Sequence, residues 1–378
     1  MLKVLFVFGT RPEAIKLCPV ILHLLARPGQ FLTRVCVTAQ HRGMLDQVLN
    51  AFGVKPDWDL NLMQPGQTLF QSTARILSAL EPVLEAERPA VVLVQGDTTS
   101  TLCGALAAFY ARVAVGHIEA GLRTWDLQQP FPEEMNRVLT ARITDLHFAP
   151  TASAAGNLRA EGVAPERIFV TGNTGIDAVL YVRDGLAAGR LPGAALAGIQ
   201  EGRRLVVVTA HRRESFGGGF ERICRALRRI AGRGDVQIVY PVHRNPNVQD
   251  PVNRHLADHP RILLLEPLDY VPFVDLMRRA DLLITDSGGV QEEGPSLGKP
   301  ILVMREKTER PEAVAAGTVR LVGTDEERIV AEASRLLDDE AARDAMSKVH
   351  NPYGDGRASE RIAGHLLEYF SRAKAALR

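Results

Sequence analysis

Short apolar runs, each closed by a polar turn and separated by helix-length segments, recur along the whole of this 378-residue chain. The clearest in the first half are Val4–Phe8, Val35–Thr38, Val91–Val94, Val113–His117 and Leu146–Ala149. The clearest in the second half are Leu205–Thr209, Gln237–Tyr240, Ile262–Leu265, Leu282–Thr285 and Ile301–Val303. A strand that is apolar on both faces needs cover on both sides of its sheet, and the intervening helices supply it. The alternation therefore predicts parallel sheets in an α/β fold.

The length suits two domains with separate cores. Patterning is weakest between Gly185 and Gly202, which is rich in Gly and Ala with Pro192, and each side of it restarts a strand–turn–helix series. We expect an N-terminal domain over 1–172 and a C-terminal domain over 173–359. Ser359 to Ala376 has the spacing of an amphipathic helix, and 360–378 is a candidate to pack back on the first domain.

Charge and cysteine usage exclude several function classes. The formal net charge is +1, so nothing argues for nucleic acid or an anionic membrane as partner. Cys18, Cys36, Cys103 and Cys224 lie far apart in apolar or helical contexts, which predicts reduced buried thiols and no zinc site. No run approaches the roughly 18 apolar residues of a membrane span, and Val4 to Phe8 is too short for a signal-peptide core. The expected location is cytoplasmic.

In parallel α/β sheets ligands bind beyond the carboxyl ends of the strands, so the turns there carry the functional reading. Leu282-Leu283-Ile284 runs into Thr285 and then Asp286-Ser287-Gly288-Gly289-Val290-Gln291-Glu292-Glu293, a glycine-bearing turn opening a helix. Unpaired N–H groups there suit an anion, and the carboxylates suit sugar hydroxyls. Val7-Phe8 leads to Gly9-Thr10-Arg11-Pro12-Glu13, Val94 to Gln95-Gly96-Asp97-Thr98, and Val208 to Thr209-Ala210-His211-Arg212-Arg213-Glu214. Val115 leads to Gly116-His117-Ile118-Glu119. Asp97 alone reads first as an N-cap. In Pro130-Phe131-Pro132-Glu133-Glu134 the helix dipole accounts for one acid and can account for both. Phe273 suits either a core position or stacking on a base. Gln40, His41, Arg42 and Gln47 are explained by capping and exposure.

Two nucleotide readings fail at this point. No GxGxxG follows a strand and no GxxxxGK[ST] occurs, which excludes a dinucleotide fingerprint and a P-loop. His117 and Glu119 form an H-x-E without the CxxC of a zinc deaminase.

The segments GTRPEAIK, GDTTST, HIEAGLRT, PFPEEMNR, HRRESF, YPVHRNP and TDSGGVQEE together resemble the non-hydrolysing UDP-N-acetylglucosamine 2-epimerases. The match runs from Met1 to about Gly323, with GRASERI fitting the family's C-terminal end. Ala210 stands where glycine is expected before the histidine, and Trp125 follows GLRT. The resemblance implies two Rossmann-like domains facing a cleft in the glycosyltransferase-B arrangement, with no NAD, no other cofactor and no metal. It implies interconversion of UDP-GlcNAc and UDP-ManNAc, and a homodimer. By motif, His211, Arg212, Ser287, Gly288, Gly289 and Glu293 hold UDP and Phe273 lies near uracil. Arg11 faces the diphosphate, and Lys16 joins the substrate-binding set. Asp97, Glu119 and Glu133 form the acidic catalytic set, with His211 beside them. Gln40, His41 and Met44, with Gln67 and Arg75, resemble the second, activating UDP-GlcNAc site of some bacterial members.

The chemistry gives these assignments a reason. The hydrogen on sugar carbon 2 is not adjacent to a carbonyl, so direct abstraction is slow. Breaking the bond from carbon 1 to UDP first builds oxocarbenium character and acidifies that hydrogen, while carboxylates stabilise the cation and move the proton. The intermediate is 2-acetamidoglucal plus UDP. A glycosyltransferase, a hydrolysing epimerase and a non-catalytic UDP-sugar sensor are the competing readings. A sensor has no need of three carboxylates.

Overall fold

The computed structural model describes residues 1–39, 42–64, 66–194 and 196–376. The chain divides into two compact units, Met1–Ala178 with Gly354–Arg378, and Val179–Tyr353. Both are α/β with wholly parallel sheets, as the alternation of apolar runs predicts.

The first unit holds β1 (Leu2–Phe8), β2 (Phe31–Val37), β3 (Trp58–Asp59), β4 (Val91–Gln95), β5 (Ala114–Ile118), β6 (Leu146–Ala149) and β7 (Ile168–Val170). Their order in the sheet is β3-β2-β1-β4-β5-β6-β7. The second holds β8 (Arg204–Thr209), β9 (Val236–Pro241), β10 (Ile262–Leu265), β11 (Leu282–Thr285), β12 (Ile301–Val303) and β13 (Val319–Leu321), in the order β10-β9-β8-β11-β12-β13. Each sheet grows one way from its first strand and the other way from its fourth. The reversal opens a crevice outside the carboxyl ends of β1 and β4 in one unit, and of β8 and β11 in the other.

Packing explains why the central strands sit where they do. Val4 to Phe8 are at most 1% exposed, so β1 has cover on both faces. Gly9 ends it because nothing larger fits. An added Cβ would lie 2.0 Å from Thr38 Oγ1 and 2.6 Å from Ser100 Oγ, two hydroxyls that hydrogen-bond each other at 2.8 Å. In the second unit, helix Gly218–Ala231 buries Phe220, Ile223, Leu227 and Ile230 against Val206, Val208, Ile238 and Tyr240. Arg225, Arg228 and Arg229 on its outer face are ion-paired.

Helix Ala358–Ala376 belongs to the first unit and packs on helix Arg11–Leu25. Its entry is fixed by Asp177, which accepts the N–H groups of Ala358 (3.2 Å) and Ser359 (2.8 Å). Ile362, Ala363 and Leu366 are fully buried. The four cysteines are free and buried, and burial pushes the thiols of Cys36, Cys103 and Cys224 up to about 12. Among the described residues no helix is long and apolar enough to cross a membrane.

The ten runs read from the sequence leave out β3, β13 and β7, although β7 is itself wholly apolar, Ile168-Phe169-Val170. These three strands are two or three residues long and lie at sheet edges, where one neighbour suffices.

Candidate active site

At the β1/β4 switch point the polar residues are organised by a buried acid. Glu13, 1% exposed, is the third residue of helix Arg11–Leu25. Its Oε2 accepts the N–H groups of Gly9 (3.1 Å) and Thr10 (2.7 Å), in the manner of a capping box. Its Oε1 lies 2.7 Å from the hydroxyl of Thr98, which caps the helix after β4, and 3.1 Å from that of Thr101 in the helix's first turn. One carboxyl thus joins the two loops that flank the crevice. Burial pushes its pKa up, against the lowering effect of these hydrogen bonds.

Glu119 itself, and the glycine before Asp97, adopt a backbone conformation that ordinary residues avoid. Gly96 has φ 73° and Glu119 has φ 64°. Gly96 N–H donates to Ile118 O (3.0 Å), and the fully buried His117 ring donates through Nε2 to Gly96 O (2.7 Å). Both residues therefore sit on backbone tied across β4 and β5. The two oxygens of Glu119 accept from Lys16 Nζ and Gln95 Nε2. Asp97 pairs with Arg137, and its carbonyl accepts from Asn136 Nδ2 at 2.9 Å. Arg137 also pairs with Glu134 at 3.0 Å.

Helix Glu133–Ile143 separates the two adjacent acids. Glu134 is 1% exposed and accepts the N–H groups of Thr124 (3.0 Å) and Trp125 (3.1 Å), fixing the preceding loop. Glu133 is half-buried and makes no hydrogen bond or ion pair among the described residues. Arg11, the first residue of its helix, is also half-buried.

The β8/β11 switch point has the same plan with different chemistry. Asp286, fully buried, follows β11, and its Oδ2 accepts the N–H groups of His211 (2.6 Å) and Arg212 (2.7 Å) after β8. Thr209 and Thr285, paired across the two strands, share a hydroxyl hydrogen bond of 2.6 Å. His211 is held below the ordinary imidazole range by burial, despite Asp286. The Nε of Arg212 is buried without an acceptor among the described residues.

Ser287 precedes the six-residue helix Gly288–Glu293, and its N–H donates to Thr285 Oγ1 (2.9 Å). Gly288 is buried, and a Cβ there would come 2.8 Å from Arg310 Cζ. Gly289 is different: its Cβ would meet only Ser287 Oγ, at 3.8 Å. Glu292 is buried and pairs with Arg310, whereas Glu293 is half-buried with Tyr270 OH at 3.4 Å. Phe273 is half-buried in helix Tyr270–Arg279.

The structure thus brings Asp97, Glu119 and Lys16 together in the first unit, and His211 and Arg212 beside Asp286 in the second. Gln67 and Arg75 hydrogen-bond at 3.4 Å, and Met44 is 46% exposed. Gln40 and His41 lie outside the described residues. Glu13, Gln95, Arg137 and Asp286 organise these clusters yet are absent from the site residues named from sequence. Position is the one signal for Glu13, Gln95 and Asp286, which end or follow a buried strand or open the helix packed on it, whereas Arg137 lies in the second turn of its helix and carries none. No cluster of ligating side chains able to hold a metal occurs among the described residues.

The family model described as UDP-N-acetylglucosamine 2-epimerase matches residues 23–367. The UDP-N-acetylglucosamine 2-epimerase of Salmonella typhimurium is 58% identical over 373 residues, covering 97% of this chain and 99% of the relative. That of Escherichia coli is 59% identical, covering 96% and 97%. The crystal structure of the UDP-GlcNAc 2-epimerase of Neisseria meningitidis bound to UDP-GlcNAc superposes with a TM-score of 0.87. It is 46% identical and covers 97% of this chain and 100% of that one.

Proposed function

The chain belongs to the UDP-N-acetylglucosamine 2-epimerase family, and from that membership we propose that it interconverts UDP-GlcNAc and UDP-ManNAc by inverting sugar carbon 2. The observation that carries the reading is the acidic group at the β1/β4 switch point, where Glu119, held through both oxygens by Lys16 and Gln95, joins Asp97.

In this reading the second unit holds UDP. Neither packing nor a positive φ requires glycine at 289, and a diphosphate lying against the turn does. Arg212 Nε, buried without an acceptor among the described residues, and His211 are its cationic partners. Ser287, Gly288 and Glu293 complete the contacts, and Phe273 lies against uracil. Arg11 faces the diphosphate as the bond to carbon 1 breaks.

The acids of the first unit act on the sugar. Glu119 and Asp97 already accept from cationic partners, which suits them to face the positive charge that develops as UDP leaves. Glu133 makes no hydrogen bond or ion pair among the described residues, which leaves it open to take the proton from carbon 2, while the return to the opposite face falls to a carboxyl of the same acidic set on that face. The intermediate is 2-acetamidoglucal. A homodimer and a regulatory second UDP-GlcNAc site at Gln40, His41, Met44, Gln67 and Arg75 accompany this reading.

Incubation with UDP-GlcNAc in D₂O, followed by proton NMR, tests it. Product UDP-ManNAc and recovered substrate should both gain deuterium at carbon 2. Free ManNAc would indicate a hydrolysing enzyme, and epimerisation with full retention of the original hydrogen would sink the elimination route.

A further inference from the structure

The two oxygens of Asp286 are used unequally. Oδ2 takes both backbone N–H groups, of His211 and Arg212. Among the described residues Oδ1 meets no donor at hydrogen-bonding geometry, and the group facing it is His211 Nδ1, at 3.3 Å. A buried carboxylate oxygen without a donor is costly, and an imidazole N–H is what can relieve it here. A carboxylate has no hydrogen to give, so Nδ1 carries the proton and the neutral ring leaves Nε2 as a lone pair. A lone pair repels a phosphate oxygen. To hold an anion through Nε2, the ring needs a second proton.

The groups facing the ring set when it takes that proton. Burial, the neighbouring Arg212 and the His243 ring all lower its pKa, while Asp286 raises it. The His243 ring stacks on that of His211 with centroids 5.5 Å apart. His243 Nδ1 accepts the Asn245 N–H at 3.1 Å, so its own hydrogen sits on Nε2. In the free protein burial and the two neighbouring groups outweigh Asp286 and leave His211 neutral near pH 7. A bound diphosphate adds negative charge beside the ring and shifts the balance.

We propose that His211 and Asp286 form a proton-coupled diphosphate clamp, in which ligand binding draws one proton from solvent onto His211 Nε2 and Asp286 Oδ1 closes on the resulting imidazolium. The clamp rests on the reading of the second unit as the UDP-binding one. One N–H bond forms, one proton leaves the buffer, and no other bond changes. Asp286 is a positioning residue in this scheme: it fixes which ring nitrogen faces the anion.

Calorimetry of UDP binding to the full chain at about pH 7.5, in buffers of different ionisation enthalpy, reads the proton count directly. The slope of binding enthalpy against buffer ionisation enthalpy should give an uptake of about one proton per UDP. His211→Asn should bind more weakly with a slope near zero. Asp286→Asn keeps an oxygen for the two backbone N–H groups but turns an NH₂ toward Nδ1. The ring then carries its hydrogen on Nε2, and proton uptake should vanish. Tight UDP binding with zero slope in the wild type would overturn the clamp alone, as would a slope that survives in His211→Asn. No UDP binding at all would overturn the clamp together with the reading of the unit it rests on. The wild-type and His211→Asn measurements stand without the buried Asp286 variant.

Discussion

The two units solve the same topological problem with one buried carboxyl each. In the first, Glu13 ties the turn after β1 to the turn after β4. In the second, Asp286 ties the turn after β11 to the turn after β8. Glu13 spends its acceptors on two amides and two hydroxyls, and so fixes geometry. Asp286 spends one oxygen on two amides and keeps the other for a histidine, and so also fixes chemistry. Beside these struts the first unit gathers acids paired to Lys16 and Arg137, and the second gathers His211 and Arg212. The doubly wound frame sets where a ligand goes, and the residues two or three positions past each strand set what is done to it.

The largest effects should fall on turnover in the first unit. Asp97→Asn and Glu119→Gln keep size but cannot serve as carboxylates. We expect kcat to fall roughly 10²–10⁴-fold in each, measured by NMR progress curves. A near-normal rate in either would reduce that residue to a structural role and weaken the contrast between the units.

Removing the first strut comes next. Glu13→Leu leaves the buried amides of Gly9 and Thr10, and the hydroxyl of Thr98, without their acceptor. The loss should be on the order of 3 kcal/mol in urea denaturation. Glu13→Gln can keep an oxygen toward the amides and turn its NH₂ to the hydroxyls, so it should recover most of that. Equal damage from both would mean that charge, not connectivity, holds the loops.

A pH dependence separates the units further. His117 and His147, neighbours across β5 and β6, are pushed by burial from 6.5 down to about 4 and about 3. Between pH 6.5 and those values the unfolded chain binds more protons than the folded one, so stability falls as pH drops through that window. The contribution is on the order of 3 kcal/mol for His117 and 5 kcal/mol for His147. Replacing both, as His117→Gln with His147→Phe, should flatten that part of the stability–pH curve. An unchanged slope would assign the acid sensitivity elsewhere.

The smallest effect expected is on affinity. His211→Ala should weaken UDP binding by about 10- to 100-fold, the scale of one charge-assisted hydrogen bond.

Ten of the thirteen strands are legible as apolar runs because central parallel strands are buried on both faces. The three that are not lie at sheet edges: β3 and β13 are broken by Asp59 and Arg320, and β7 is apolar but only three residues long. The site was legible to the level of the turn but not always of the residue. Glu133 and Glu134 are adjacent in sequence, yet one is half-buried and the other is fully buried on Thr124 and Trp125. Only the helix orientation separates them. Glu13 reads from sequence as a helix-dipole residue, because its contacts to Thr98 and Thr101 cross 85 and 88 positions of chain. Asp286 is hidden for the same reason: its partners, His211 and Arg212, lie 75 and 74 residues away.

The division of labour between the units is tested most directly by calorimetric UDP affinity in Glu119→Gln, measured beside the wild type. The account predicts that the variant, with turnover collapsed, binds UDP within about two- to three-fold of the wild type, because the removed charge acts on the sugar and not on the nucleotide. A loss of UDP affinity as large as the loss of turnover would contradict it.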